Sequence, residues 1–157
     1  MSKNKLKPAG EIAVERAIRE GSPLRSSPPA SRNLKDFEEM QVWQDAQDLA
    51  VAVYGDMRTV KDFSFIDQIK RAAVSISNNV AEGAERVTSS EFARFLDIAK
   101  GSTGEVRSMY RLAARLGFMD AGVSEVRCAA CRAISRQLGG FAKHLRAASR
   151  QQRIANK

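Results

Sequence analysis

A chain of 157 residues with 26 Lys/Arg, 18 Asp/Glu and a single His carries a formal charge of +8 at neutral pH, and 43% of its residues are hydrophobic. That length suits one domain with a real core, no apolar run approaches the roughly 18 residues of a membrane span, and the first thirty residues lack the apolar stretch of a signal peptide. Glu11, Glu15 and Glu20 also speak against an organellar transit sequence, so a soluble cytoplasmic protein is the expectation.

The excess positive charge is placed unevenly. Residues 1 to 35 balance at +5 and residues 143 to 157 at +5, whereas residues 36 to 119 balance at −3. Segregated basic charge of this kind suggests a polyanionic partner, although basic termini also serve solubility.

Residues 1 to 33 read as a basic, largely disordered tail. Within it, residues 21 to 32 (GSPLRSSPPASR) concentrate Pro, Ser and Gly in the manner of a linker. Residues 11 to 20 (EIAVERAIRE) have the spacing of an amphipathic helix that is too short to persist alone. The ordered domain is expected to span residues 34 to 149.

Four helices and no strand follow from the periodicity. The first is expected from Asp36 to Met57, with Phe37, Met40, Trp43, Ala46, Ala50, Val53 and Met57 spaced by three or four. The second runs from about Ser64 to Arg86 and ends near Gly83 to Val87. Thr88 or Ser89 is a natural N-cap for the third, with Glu91 at the capping-box distance from Thr88. That helix extends to Arg115 and is closed by Gly117. Gly101 and Gly104 inside it each cost about 1 kcal/mol relative to Ala, which predicts close helix contact at both. The fourth runs from Asp120 to Ser149 on Val123, Val126, Ala130, Ile134, Leu138, Phe141 and Leu145, leaving residues 150 to 157 as a basic C-terminal tail. Four amphipathic helices with short loops predict an all-α, antiparallel up-down-up-down four-helix bundle.

Two groups of polar residues stand out on these helices. Advancing about 100° per residue, Gln68, Arg71, Ser75, Asn79, Glu82 and Arg86 fall within roughly 80° of one another beside the apolar arc of the second helix. With Ser102 and Glu105 of the third helix, Gln68, Arg71, Ser75, Asn79 and Glu82 are expected to form a structural hydrogen-bond network that sets helix register. The second group is cationic. Arg132, Arg136, Lys143, Arg146, Arg150 and Arg153 share one face of the fourth helix, and Lys100, Arg107, Arg111 and Arg115 span roughly 80° of the third, with Asp97 the one acid among them. These ten are the candidate nucleic-acid-binding residues. Neither stripe contains an aromatic to stack on bases, so contact should follow backbone charge and shape rather than sequence. A solvated helix exterior is the competing explanation.

Little supports catalysis. His144 is alone, Glu82 and Glu105 lack the Glu-x-x-His partners of a carboxylate-bridged metal site, and no Gly-rich phosphate loop is present. Cys128 and Cys131, three apart on one helix, cannot staple distant parts of the fold, and a zinc site would need two more ligands. Wheel geometry puts Cys131 at the edge of the apolar face and Cys128 near the basic face. No cofactor and no metal are expected.

The segments VWQDAQDLAVAVY at 42 to 54, QIKRAAVSISNNVAEG at 68 to 83, EFARFLDIAKGSTGE at 91 to 105 and LAARLG at 112 to 117 resemble the bacterial four-helix-bundle family encoded in intervening sequences of large-subunit rRNA genes. A more distant similarity is to the accessory protein of diversity-generating retroelements. The first resemblance implies a barrel-like homopentamer with a basic surface. Gln68, Arg71, Ser75, Asn79, Glu82, Gly83, Gly101, Ser102 and Glu105 match the family's characteristic positions. Ser77 stands where Pro is frequent, Lys70 where Arg is usual, and Thr103-Gly104 replace a more apolar pair. The expectation for function is thus a non-enzymatic oligomeric protein that binds RNA or DNA backbone or accompanies a ribonucleoprotein. The alternative is a scaffold docking a protein such as a reverse transcriptase or ribosomal component.

Overall fold

The computed structural model describes residues 36–156. The tail expected at residues 1 to 33, with its linker and short helix, lies outside the described residues. Among the described residues there are four long helices and no strand: α1 (Gln41–Asp56), α2 (Phe63–Ala84), α3 (Ser89–Arg115) and α4 (Ala121–Ala155). Single 3-10 turns at Phe37–Glu39 and Met57–Thr59 flank α1.

Two boundaries differ from the periodicity. The first α-helix begins at Gln41 rather than Asp36 because Met40 is extended (ψ 121°). Phe37 still reaches the core from its 3-10 turn and packs edge-on against Trp43 at 5.4 Å, so the apolar spacing is real although the backbone is not α-helical. At the other end α4 continues past Ser149 to Ala155, and residues 150 to 155 are its exposed final turns. Gln151, Gln152, Arg153 and Ala155 are good helix formers with no breaker among them.

The other termini follow local chemistry. Asp62 accepts from the Phe65 amide at 2.9 Å and Asp120 from the Gly122 amide at 2.7 Å, each relieving an unpaired donor in a first turn. Thr88 Oγ1 accepts from the Glu91 amide at 3.2 Å and donates to Glu91 Oε2 at 2.7 Å, a variant of the capping box in which the hydroxyl makes both bonds. Gly117 adopts φ 72°. Its amide donates to the Ala114 carbonyl and the Phe118 amide to that of Ala113, the paired bonds of a Schellman stop.

Side-chain pairing shows that neighbouring helices run antiparallel. Between α1 and α2, Gln47 meets Ser77 and Tyr54 meets Lys70; between α2 and α3, Gln68 meets Glu105 and Ser75 meets Ser102. Between α3 and α4, Phe92 meets Phe141 and Arg111 meets Glu125. Between α4 and α1, Gln137 meets Asp45 and Arg127 meets Asp56. In every pair one number rises as the other falls, which is the up-down-up-down order. The α3/α4 seam is the most extensive and α1/α4 the least, so the molecule reads as an α1–α2 layer on an α3–α4 layer.

Between the layers lies one core, whose deepest side chains include Tyr110, Leu49, Met57, Ile69, Ile76, Leu96 and Leu138. The close approach expected at Gly101 and Gly104 occurs elsewhere. A Cβ at either would meet nothing within 4 Å, because both lie on the outer arc of α3, whereas one at Gly83 would come within 2.5 Å of Phe92 Cδ2 and 2.8 Å of Phe95 Cβ. Gly83 is thus what lets the end of α2 close on the start of α3. Ser77, the residue in place of a frequent Pro, leaves α2 unbroken; its hydroxyl donates to the Val74 carbonyl and accepts from Gln47 Nε2. Thr103 is buried with its hydroxyl donated to the Ala99 carbonyl at 2.8 Å.

Candidate nucleic-acid interface

The α3/α4 seam is lined by small or slender groups that bring the two helices together. Ala93, Ala99, Thr103, Cys128, Cys131 and Ala142 are all buried, and Cys128 Sγ donates to the Arg107 carbonyl at 3.6 Å. Cys128 therefore faces α3 rather than the basic surface, since α3 covers that edge of α4. Burial pushes the Cys131 thiol up to about 12, so this sulfur stays protonated at neutral pH and is a poor nucleophile. His144 is exposed.

Close packing at the seam turns two cationic stripes into one surface. Lys100 Nζ of α3 lies 3.5 Å from where a Gly139 Cβ would stand, reaching across α4. Lys100, Arg107, Arg111, Arg115, Arg136, Lys143, Arg146, Arg150 and Arg153 are exposed and Arg132 is half-buried. Two acids divide this set. Glu125 bridges Arg132 and Arg111, each at 2.7 Å, and the Arg132 hydrogen bond, followed by the Arg111 charge, holds its carboxyl below the usual range. Asp97 pairs with Arg146. Among the described residues, Lys100, Arg107, Arg115, Arg136, Lys143, Arg150 and Arg153 have no ion-pair partner, and these seven are the cations free to meet an outside anion.

The polar stripe of α2 lies on the neighbouring α2/α3 seam, exposed at Gln68 and half-buried at Ser75 and Asn79. Gln68 Nε2 donates to Glu105 Oε1 at 2.6 Å, and the Ser75 and Ser102 hydroxyls are 2.9 Å apart. Asn79 Nδ2 donates to both the carbonyl and hydroxyl of Ser75. The Gln68–Glu105 and Ser75–Ser102 bonds tie α2 to α3 at two levels, and Asn79 joins them only through Ser75, within α2. Arg71 and Glu82 take no part: Arg71 pairs with Asp67 and Glu82 with Arg86, each within α2. Gln68, Arg71, Ser75, Ser102 and Glu105 line an open cleft of about 250 Å³.

A third charged group was not anticipated from the sequence. Arg127 Nε donates to Asp56 Oδ2 at 2.8 Å and its Nη2 to Oδ1 at 3.1 Å, while the Tyr110 hydroxyl donates to Oδ2 at 2.8 Å. Ser124 Oγ donates to the Tyr110 carbonyl at 2.8 Å. The Arg127 and Asp56 side chains are only 10% and 15% exposed, and burial, followed by the Asp56 charge, raises the Tyr110 hydroxyl above its ordinary value. Here the end of α1, the last turns of α3 and the start of α4 are locked together. One signal was available: on the α4 wheel Arg127 lies roughly 140° from Arg132, on the apolar arc with Ile134 and Leu138.

Together these features define a four-helix bundle with one segregated cationic face. The pattern of the 23S rRNA-intervening sequence protein family matches residues 38–140, and the chain belongs to that family. Among solved structures it is similar to a protein of unknown function from the S23 ribosomal protein family of Bacteroides thetaiotaomicron, with 23% sequence identity and a TM-score of 0.61, over 65% of this chain and 98% of that one. At that identity the likeness speaks for the fold alone. No curated protein is similar enough to match. No helix among the described residues is long and apolar enough to cross a membrane.

Proposed function

We propose that this protein binds the phosphate backbone of RNA or DNA through the α3/α4 face and acts by binding rather than catalysis. The observation that supports this most directly is the segregation of seven exposed cations without ion-pair partners among the described residues, beside three whose charge is already answered by Glu125 and Asp97. Phosphate contacts of this kind release counterions and are tolerant of sequence. The homopentamer implied by the family resemblance would multiply the formal charge of +8 to about +40, making individually weak contacts additive. The family's name attaches it to intervening sequences of 23S rRNA, which makes a 23S rRNA fragment the first probe to try.

Fluorescence anisotropy of labelled RNA and DNA at several salt concentrations tests this. Affinity should fall steeply as salt rises, and replacing Arg136, Lys143 and Arg150 by Glu should weaken it at least tenfold. Absence of binding at low salt, or unchanged affinity in that variant, overturns the proposal.

A further inference from the structure

Two glycines inside α3 have no packing role within the protomer. A Cβ at Gly101 or Gly104 would meet nothing within 4 Å, yet a glycine in a helix interior weakens the helix. Their effect is to lower part of the outer arc of α3 to bare backbone. Advancing about 100° per residue from Ser102, Lys100 and Arg107 fall at roughly 160° and 140°, Gly104 and Gly101 at roughly 200° and 260°, and Glu105 at roughly 300°. The glycines thus lie between unpaired cations on one edge of α3 and the α2/α3 cleft on the other.

That cleft, about 250 Å³ in volume, has room for one flat ring system, and its polar groups are placed to read one. Glu105 offers two carboxylate oxygens, of which Oε1 accepts from Gln68 Nε2 at 2.6 Å. A side-chain amide carries two N–H donors, so Gln68 keeps one to offer. Arg71 meets Asp67 only at 3.4 Å, and its side chain is 80% exposed, which leaves the guanidinium plane free to lie on a ring. The half-buried Ser75 and Ser102 hydroxyls, 2.9 Å apart, supply further polar contacts between the two helices.

We infer that the α2/α3 cleft receives one unstacked base from a single-stranded stretch of bound RNA, and that this base is guanine. The Watson–Crick edge of guanine sets two donors, N1–H and N2–H, beside one acceptor, O6. A carboxylate takes both donors with its two oxygens, and the spare N–H of Gln68 meets O6. Adenine and cytosine each put an acceptor where guanine has N1–H, and uracil flanks its single donor with two acceptors, so all three set lone pairs against the carboxylate. The inference rests on the backbone contact proposed above. Lys100 and Arg107 hold the adjoining phosphates, and the strand crosses α3 over Gly101 and Gly104, where a side chain would hold it off the helix. Phosphate contacts carry no sequence information; the cleft adds a preference for one base at one position.

Labelled single-stranded RNA oligonucleotides, all adenine except for a central G, A, C or U, test this on the full chain by fluorescence anisotropy. The strand with central G should bind roughly fivefold or more tightly than the other three, and that ratio should persist while salt lowers all four affinities together. Glu105→Gln keeps the shape of an exposed side chain but turns one acceptor into a donor. Folded by circular dichroism, it should lose the guanine preference and keep its affinity for the all-adenine strand within about twofold. Replacing Gly101 and Gly104 together by Gln should leave the melting temperature at or above that of wild type, because Gln is the better helix former and no neighbour opposes it, yet the preference should disappear. Equal affinity of wild type for the four strands, or a preference that survives Glu105→Gln, overturns the inference and leaves the phosphate proposal standing. A preference that survives in the glycine variant overturns the route over α3. No binding of any strand at low salt overturns both proposals.

Discussion

Arginine meets carboxylate in two regions of this bundle, with opposite consequences. At the α1/α4 end Arg127 holds Asp56 in a nearly buried two-point pair that Tyr110 completes. On the α3/α4 face Arg111 and Arg132 grip Glu125 in the open, with half of the Glu125 side chain still exposed. Away from water a charge must be matched in place, because an unpaired one is costly. In water the same pair contributes little, and its main effect is to neutralise part of a cationic surface. Burial makes an ion pair architectural; exposure leaves it a matter of surface potential.

The strongest way to break this comparison is to remove one partner of the buried pair. Arg127→Ala leaves Asp56 unanswered in the core and should cost about 3 kcal/mol or more, measured by urea denaturation with an unchanged m-value. Gly83→Ala tests the other end of the bundle, where the new methyl collides with Phe92 and Phe95; a loss of about 1–3 kcal/mol is expected, read as a lowered thermal midpoint. Tyr110→Phe deletes only the hydroxyl bond to Asp56 and should cost about 1–2 kcal/mol. If it proves neutral, the cluster is a two-member pair rather than a three-member one.

On the exposed face the expectation reverses. Arg136→Glu should change stability by no more than about 0.5 kcal/mol while flattening the salt dependence of RNA binding. The smallest effect belongs to Glu125. The Arg132 hydrogen bond and then the Arg111 charge hold its folded carboxyl below that of an ordinary glutamate, so its contribution is present above the unfolded value and is lost as pH falls through the folded one. Midpoints of wild type and Glu125→Gln should therefore differ slightly at neutral pH and converge in acid. A gap that widens on acidification contradicts this assignment.

Much of the architecture was legible from local signals. The Thr88–Glu91 cap, the Gly117 stop and the apolar repeats of α2 and α3 each depend on residues a few positions apart, and the helices fall close to where those signals place them. The start of α1 was misplaced because Phe37 and Met40 keep helical spacing while the backbone between them is a 3-10 turn. For Gly101 and Gly104 the signal was present in the sequence: advancing about 100° per residue from Phe92 puts them roughly 180° and 120° from that residue, away from the apolar arc, on the side where a Cβ meets nothing.

The candidate surface divides in the same way. Periodicity assigns six cations to one face of α4 and four to one face of α3, but whether two faces on different helices merge depends on how those helices pack. Packing likewise chose which cations Glu125 and Asp97 would neutralise, which members of the α2 stripe would bond across to α3, and that Asp56 and Arg127, seventy-one positions apart, would meet. Helix identity, the helix ends fixed by local caps and stops, and the charge of each segment are properties of neighbouring residues, and sequence alone determined them. Adjacency of helices, and with it the joining of two cationic stripes into one face, comes from the mutual burial of four apolar faces, which only the tertiary structure decided.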